Sequence, residues 1–121
     1  MKKIKLFDPV IGISEEREMI KTLRSGFWAS GAGTNSVNKF EQKFKMYVNS
    51  KDCIAVNSGT AALNLALSLF NIRNKEVIVP SLTFVSTINA IKYVQATPVF
   101  ADIRSYDDLT IDPSQIEELI T

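Results

Sequence analysis

The sequence contains no histidine and a single cysteine, Cys53. Without histidine it lacks the commonest zinc ligand and the usual general base near neutrality, so metal hydrolases and triad hydrolases are poor fits and no metal is expected. A lone cysteine excludes an intrachain disulfide, and Cys53 inside an apolar run reads as inert core. Long apolar runs are also missing, and none approaches the length of a membrane span. The basic start at Lys2, Lys3 and Lys5 is followed by Asp8, Glu15 and Glu16 where a secretory signal needs an apolar core. A cytoplasmic protein is expected. Neither sign of charge dominates: 14 basic and 13 acidic residues leave +1, with the bases scattered. That distribution offers no stripe to neutralise a run of phosphates, so nucleic acid is not an expected partner, and the lack of a long apolar run makes a membrane an unexpected one.

What is present is an ordinary globular composition, 45% hydrophobic over 121 residues, enough for one small domain. A first helix is predicted from about Glu15 to Arg24, where Met19, Ile20 and Leu23 share a face, acids lead and bases trail, and Gly26 ends it. Phe27 to Asn35 read as a loop in which Gly31 and Gly33 permit unusual backbone angles. From Ser36, Val37, Phe40, Phe44 and Tyr47 trace the apolar stripe of a second helix.

The pattern then changes. Cys53-Ile54-Ala55-Val56 is a short apolar run expected to be a buried strand, and a mostly buried helix follows from Thr60 to Phe70 with Asn64, Ser68 and Asn71 as its narrow polar stripe. A second strand is predicted at Glu76 to Pro80 and a third at Thr97 to Ile103. Between them lies a helix from Phe84 to Val94, with Phe84, Ile88 and Ile91 on one side. Alternating apolar strands and helices predict an α/β fold with a mostly parallel sheet, helices on both faces and right-handed crossovers. Asp112-Pro113-Ser114-Gln115 carries a cap acid, a proline at the first helical position and a Gln three residues after the cap. It predicts a last helix burying Ile116, Leu119 and Ile120.

The stretch most open to chemistry is Asn57-Ser58-Gly59-Thr60-Ala61-Ala62, where strand gives way to helix. The first turn of a helix has unpaired N–H groups and the positive end of the dipole, so a phosphate there gains hydrogen bonds and favourable electrostatics together. The alternative is that Ser58 or Thr60 caps the helix and no ligand is involved. The stretch has neither the three-glycine dinucleotide spacing nor the Gly-Lys-Ser/Thr ending of a P-loop, which argues against NAD and ATP. Phe84 follows a predicted strand at the edge where open α/β sheets bind ligands, so its ring is either a platform for a planar cofactor or an ordinary core aromatic. Asp102 is a site carboxylate or, more simply, a strand terminator.

These blocks, with Ser25-Gly26 through Trp28 to Ser30-Gly31, Phe40-Glu41, Glu76-Val77-Ile78-Val79-Pro80-Ser81, Thr83-Phe84-Val85-Ser86-Thr87-Ile88-Asn89-Ala90 and Thr97-Pro98-Val99-Phe100-Ala101-Asp102, resemble the DegT/DnrJ/StrS family of sugar aminotransferases. The resemblance implies the N-terminal part of the large domain of a pyridoxal-phosphate (PLP) enzyme of the aspartate aminotransferase fold (fold type I). Residues 1–50 would form a helical segment and substrate loop, and 51–121 an incomplete first βαβαβ portion. It implies that Gly59, Thr60 and Ala61 hold the cofactor phosphate, that Phe84 stacks on the pyridine ring, and that Phe27, Trp28 and Ala29 approach the substrate. The implied reaction moves an amino group, usually from glutamate, to a nucleotide-linked keto-deoxysugar in a homodimer. The lysine that forms the imine is expected beyond Thr121, so no catalytic residue is assigned. Dehydration by a histidine-bearing relative and a noncatalytic truncated α/β module are the alternatives. Alone, the chain is expected to expose apolar faces and to aggregate, pack poorly or be held by other chains.

Overall fold

The structure, a computed structural model, describes residues 3–5, 7–28 and 36–121, and the chain divides into two units, Met1–Ala55 and Val56–Thr121. The loop glycines Gly31 and Gly33 lie outside the described residues.

In the first unit, helix α1 spans Ile13–Ser25. It begins two residues before the expected Glu15 because the Glu15 carboxylate reaches back to accept the Gly12 N–H at 2.7 Å, satisfying a donor that the helix itself leaves unpaired. Gly26 ends it in a left-handed conformation (φ 70°), as its residue type suggests. Helix α2 spans Ser36–Tyr47, where Phe40 and Phe44, one turn apart, place their ring centroids 5.7 Å from each other. Both apolar stripes exist, yet neither helix has a buried residue.

The strand expected at 53–56 does not form. A strand exists only where its backbone groups enter a ladder, and none of the described residues pairs with this segment. The Ala55 N–H is taken instead by the Glu41 carboxylate at 2.9 Å, and Cys53 is half-buried rather than core.

The second unit runs helix α3 (Gly59–Ser68), strand β1 (Glu76–Pro80), helix α4 (Val85–Tyr93), strand β2 (Thr97–Ala101) and helix α5 (Pro113–Leu119). β1 and β2 pair in parallel from Glu76↔Thr97 to Pro80↔Ala101, so the described sheet has two strands rather than three. β2 stops at Ala101, short of the expected Ile103, because β1 ends opposite it; Ile103 instead bridges Ile111 in antiparallel sense. Val79, Ile91 and Ala96 form the buried core, with Leu67, Ile72, Val77, Ile88 and Val94 packed around it. Phe84, expected on the packed side of its helix, is 75% exposed.

Two further expectations are corrected. α3 is not mostly buried: α4 covers one side of it only, and that side holds Thr60, Ala61, Leu67 and also Asn64, which composition alone assigned to the solvent stripe. Leu63 and Leu65, and Leu69 and Phe70 just beyond the helix, are exposed. At α5, Asp112 is the cap and Pro113 the first helical residue, but Gln115 does not close a capping box. Its side-chain oxygen accepts the Asp102 N–H at 2.7 Å, because the chain before the cap runs alongside the end of β2. Ile116 and Leu119 are half-buried, whereas Ile120, in extended backbone past the last turn, is exposed.

Between β2 and α5 the turn is held by two carboxylates. Asp108 accepts the Thr110 hydroxyl at 2.6 Å and the Thr110 N–H at 3.1 Å, and Asp112 accepts the Ser114 hydroxyl at 2.7 Å and the Ser114 N–H at 3.0 Å. These donors stabilise the ionised form and hold both groups below the ordinary aspartate range, Asp108 chiefly through the Thr110 hydroxyl and Asp112 chiefly through that of Ser114. A depressed folded value means that their contribution is complete above the unfolded value and is lost as pH falls through the folded one. Acid titration followed by side-chain carboxyl shifts is therefore expected to show both groups titrating below a free aspartate, with Thr110→Val moving Asp108 upward and leaving Asp112 in place. In denaturant unfolding, Ile91→Ala is expected to cost about 2–5 kcal/mol, and Ile120→Ala at an exposed position within about 0.5 kcal/mol.

Candidate functional site

Ser58 stands before α3 in extended backbone, and its Oγ accepts the Ala61 N–H at 3.2 Å while its carbonyl accepts the Ala62 N–H at 3.0 Å. Of the three amides expected at an anion site, that of Ala61 is thus already committed. Among the described residues, the N–H groups of Gly59 and Thr60 find no partner. The cap and the anion site are therefore not exclusive: one serine satisfies the third amide, and the first two stay open with the helix dipole behind them. Gly59 is not in the left-handed region, and a Cβ built there meets nothing within 4 Å. Neither backbone angle nor the chain's own packing calls for glycine at this position, and the space in front of it is open.

Phe84 caps α4 in extended backbone (φ −74°, ψ 141°), with its ring largely in solvent. The core-aromatic alternative fails for this residue, which is exposed and stands outside the cluster that Ile88 and Ile91 join. The topology brings Gly59 and Phe84 to one edge. The Asn74 N–H at the end of the α3–β1 turn donates to the Gln95 carbonyl at 2.9 Å, so the far ends of α3 and α4 meet at the edge where both strands begin. α4, which returns the chain between two parallel strands, runs against them, and Leu67 in the last turn of α3 packs on the cluster that holds Ile91, late in α4, so the ends of the two helices lie together. Both helix starts accordingly lie toward the edge where β1 and β2 end, the edge at which open α/β sheets bind ligands.

At that edge the Ser81 hydroxyl donates to the Asp102 carboxylate at 2.9 Å, and the Ser81 N–H donates to the Ala101 carbonyl at 2.8 Å. Reading Asp102 as a mere terminator misses this contact. Two apolar runs of equal length, each followed by a polar residue, carry its only signal in the sequence, and it becomes visible once the parallel register sets Pro80 opposite Ala101.

In the first unit, the Trp28 indole N–H donates to the Leu23 carbonyl at 3.2 Å, closing the end of α1. Its ring borders a shallow cavity of about 400 Å³ with Glu18, Met19, Thr22 and Leu23. Trp28 therefore has a face to offer a ligand but no donor. The Phe27 N–H bonds the Ser25 hydroxyl at 3.2 Å with its ring half-exposed, and Ala29 lies outside the described residues.

A sequence profile of the DegT/DnrJ/EryC1/StrS aminotransferase family matches residues 9–121. The chain is 46% identical over 114 residues to the spore coat polysaccharide biosynthesis protein SpsC of Bacillus subtilis (strain 168), a match covering 93% of this chain and 28% of SpsC. It is 38% identical over 122 residues to GDP-perosamine synthase of Escherichia coli O157:H7, covering 100% of this chain and 33% of the synthase. Among solved structures, the putative sugar aminotransferase Spr1654 from Streptococcus pneumoniae in its PLP form superposes with a TM-score of 0.85 at 31% identity, over 99% of this chain and 30% of that one. The same protein is also solved in its PMP form. The chain spans less than two thirds of the length of each of these relatives.

The cap at Ser58 has a direct test. Ser58→Ala is expected to cost about 1 kcal/mol in denaturant unfolding, and Ser58→Asn, which keeps an acceptor, much less.

Proposed function

The chain belongs to the DegT/DnrJ/EryC1/StrS aminotransferase family, and from that premise we propose that it is the cofactor-holding front part of a PLP-dependent aminotransferase. The substrate proposed is a nucleotide-linked keto sugar, the amino donor glutamate, and the setting a homodimer in the cytoplasm. Residues 1–50 would then serve as helical segment and substrate loop, and 51–121 as the front of the large domain. The names of two relatives, a GDP-perosamine synthase and a protein of spore coat polysaccharide biosynthesis, favour a sugar substrate.

One observation carries this reading: two amides that find no partner among the described residues, at Gly59 and Thr60, open onto free space at a helix start toward the edge where the strands end. That donor set suits a phosphate, which wants several N–H or O–H donors and positive potential but no metal. The Gly59 and Thr60 amides and the Thr60 hydroxyl would hold the phosphate. Ala61 would contribute a small side chain, since Ser58 holds its N–H. Phe84 would cover one face of the pyridine ring, using apolar surface that its own fold leaves unburied. When bound, pyridoxal phosphate supplies an electron sink for amino-group transfer. The chain's part is to grip and orient it, and none of its lysines is assigned a catalytic role. Trp28 and Phe27, with Ala29, would face the sugar nucleotide, Trp28 through its ring alone because its N–H is engaged.

The test is a titration of the full-length protein with pyridoxal phosphate and with pyridoxal, which lacks the phosphate. Ser58→Asp keeps the cap but sets a carboxylate beside the anion. It is expected to leave stability close to wild type and to weaken pyridoxal phosphate by tenfold or more, about 1.4 kcal/mol, with little effect on pyridoxal. Equal loss for both ligands, or no binding by the wild type, sinks the phosphate assignment.

A further inference from the structure

The Ser81–Asp102 pair joins segments 21 residues apart in sequence, the longest separation of any side-chain to side-chain hydrogen bond among the described residues. It lies in neither helix start and has no role in the grip described above. Asp102 is held from three sides. Its N–H donates to Gln115 at 2.7 Å, its carbonyl accepts the Asp112 N–H at 2.9 Å, and its carboxylate accepts both the Ile103 N–H at 2.8 Å and the Ser81 hydroxyl at 2.9 Å. The side chain therefore has little freedom, since the Asp112 N–H and the Gln115 side chain at the start of α5 fix its backbone and the Ile103 N–H and Ser81 hydroxyl fix its carboxylate.

Ser81 opens the short segment that separates β1 from α4, and Phe84 closes it. After Pro80 the ladder ends, and a four-residue turn in solvent would be free to swing. Ser81 is tied by its N–H to Ala101 and by its hydroxyl to Asp102, and at the other end Thr83 donates its hydroxyl to Thr87 at 3.0 Å. Both ends of the turn are tied, and Phe84, its ring exposed, closes it. A ring in solvent gains nothing from a fixed position for its own sake; the restraint has value where the ring must meet a planar ligand.

We propose that Ser81 and Asp102, braced by Gln115, are positioning residues that hold the Phe84 ring for cofactor stacking. The inference rests on the reading of Phe84 given above. Neither residue touches the cofactor; they act by reducing the ordering cost that Phe84 would otherwise bear on binding.

The full-length protein is titrated with pyridoxal phosphate, reading affinity and the absorption spectrum of the bound cofactor, for Ser81→Ala, Asp102→Ala, Asp102→Asn, Phe84→Ala and the Ser81→Ala/Phe84→Ala double variant. Ser81→Ala is expected to weaken binding about five- to tenfold, the worth of one hydrogen bond, and to shift the spectrum. Asp102→Asn keeps an oxygen acceptor and is expected to stay near wild type, unlike Asp102→Ala. With Phe84 already removed, Ser81→Ala is expected to cost nothing more. Competition by inorganic phosphate, which reports the Gly59 and Thr60 amides, should be unchanged throughout. An equal loss with and without Phe84, or Ser81→Ala indistinguishable from wild type, overturns the positioning role while leaving the cofactor assignment standing. A wild type that binds no pyridoxal phosphate removes both.

Discussion

A parallel ladder cannot be closed by a tight turn, because the chain must travel back the length of the first strand before it can pair with the second. Here α4 makes that return between Glu76–Pro80 and Thr97–Ala101, and much else in residues 56–121 follows from it. Strands that run the same way end at the same edge, and helices that run back begin there. The pairing thus assembles, at one rim, two helix starts and the polar residues that succeed each strand. The core that holds it is small. Val79 comes from β1, Ile91 from α4 and Ala96 from the turn into β2, so the cluster needs all three elements of the crossover at once.

Division of labour at that rim is plain. Ser58 satisfies one amide of α3 and stabilises the helix, while the two amides ahead of it stay open. A helix start with every donor capped internally would be more stable and chemically mute. Among the described residues Gly59 and Thr60 keep their N–H groups unpaired, which costs little while water can reach them, and on the reading proposed above they would take the cofactor phosphate. Glycine at the first of these positions is not demanded by the chain's own backbone or packing.

The same chain carries apolar surface that its described neighbours do not cover. α3 packs against α4 on one side and turns Leu63 and Leu65 outward; Ile54 is exposed in a segment that enters no ladder among the described residues. Both features follow from the same shortage of partners. An apolar run becomes a strand only beside another strand, and an all-round apolar helix is buried only where elements flank it on several sides.

Local chemistry was legible in the residues. Glu76–Pro80 appeared as a strand because its apolar run is bounded by turn residues, α5 was marked by Asp112 and Pro113, and α1 ended at Gly26 where a left-handed angle was needed. The capped helix start at Gly59 was visible for the same reason: a cap residue, a glycine and a helix lie within a few positions. Tertiary structure alone decided the rest. Whether 53–56 entered a sheet depended on a partner, which side of α3 was covered depended on where α4 lay, and Gln115 left its own helix cap for Asp102 because β2 ended beside it. The Ser81–Asp102 contact arises only when parallel register brings residues distant in sequence side by side. Propensity and capping act over a few residues and can be read in order along the chain, whereas burial and pairing belong to neighbours that the order of residues does not name.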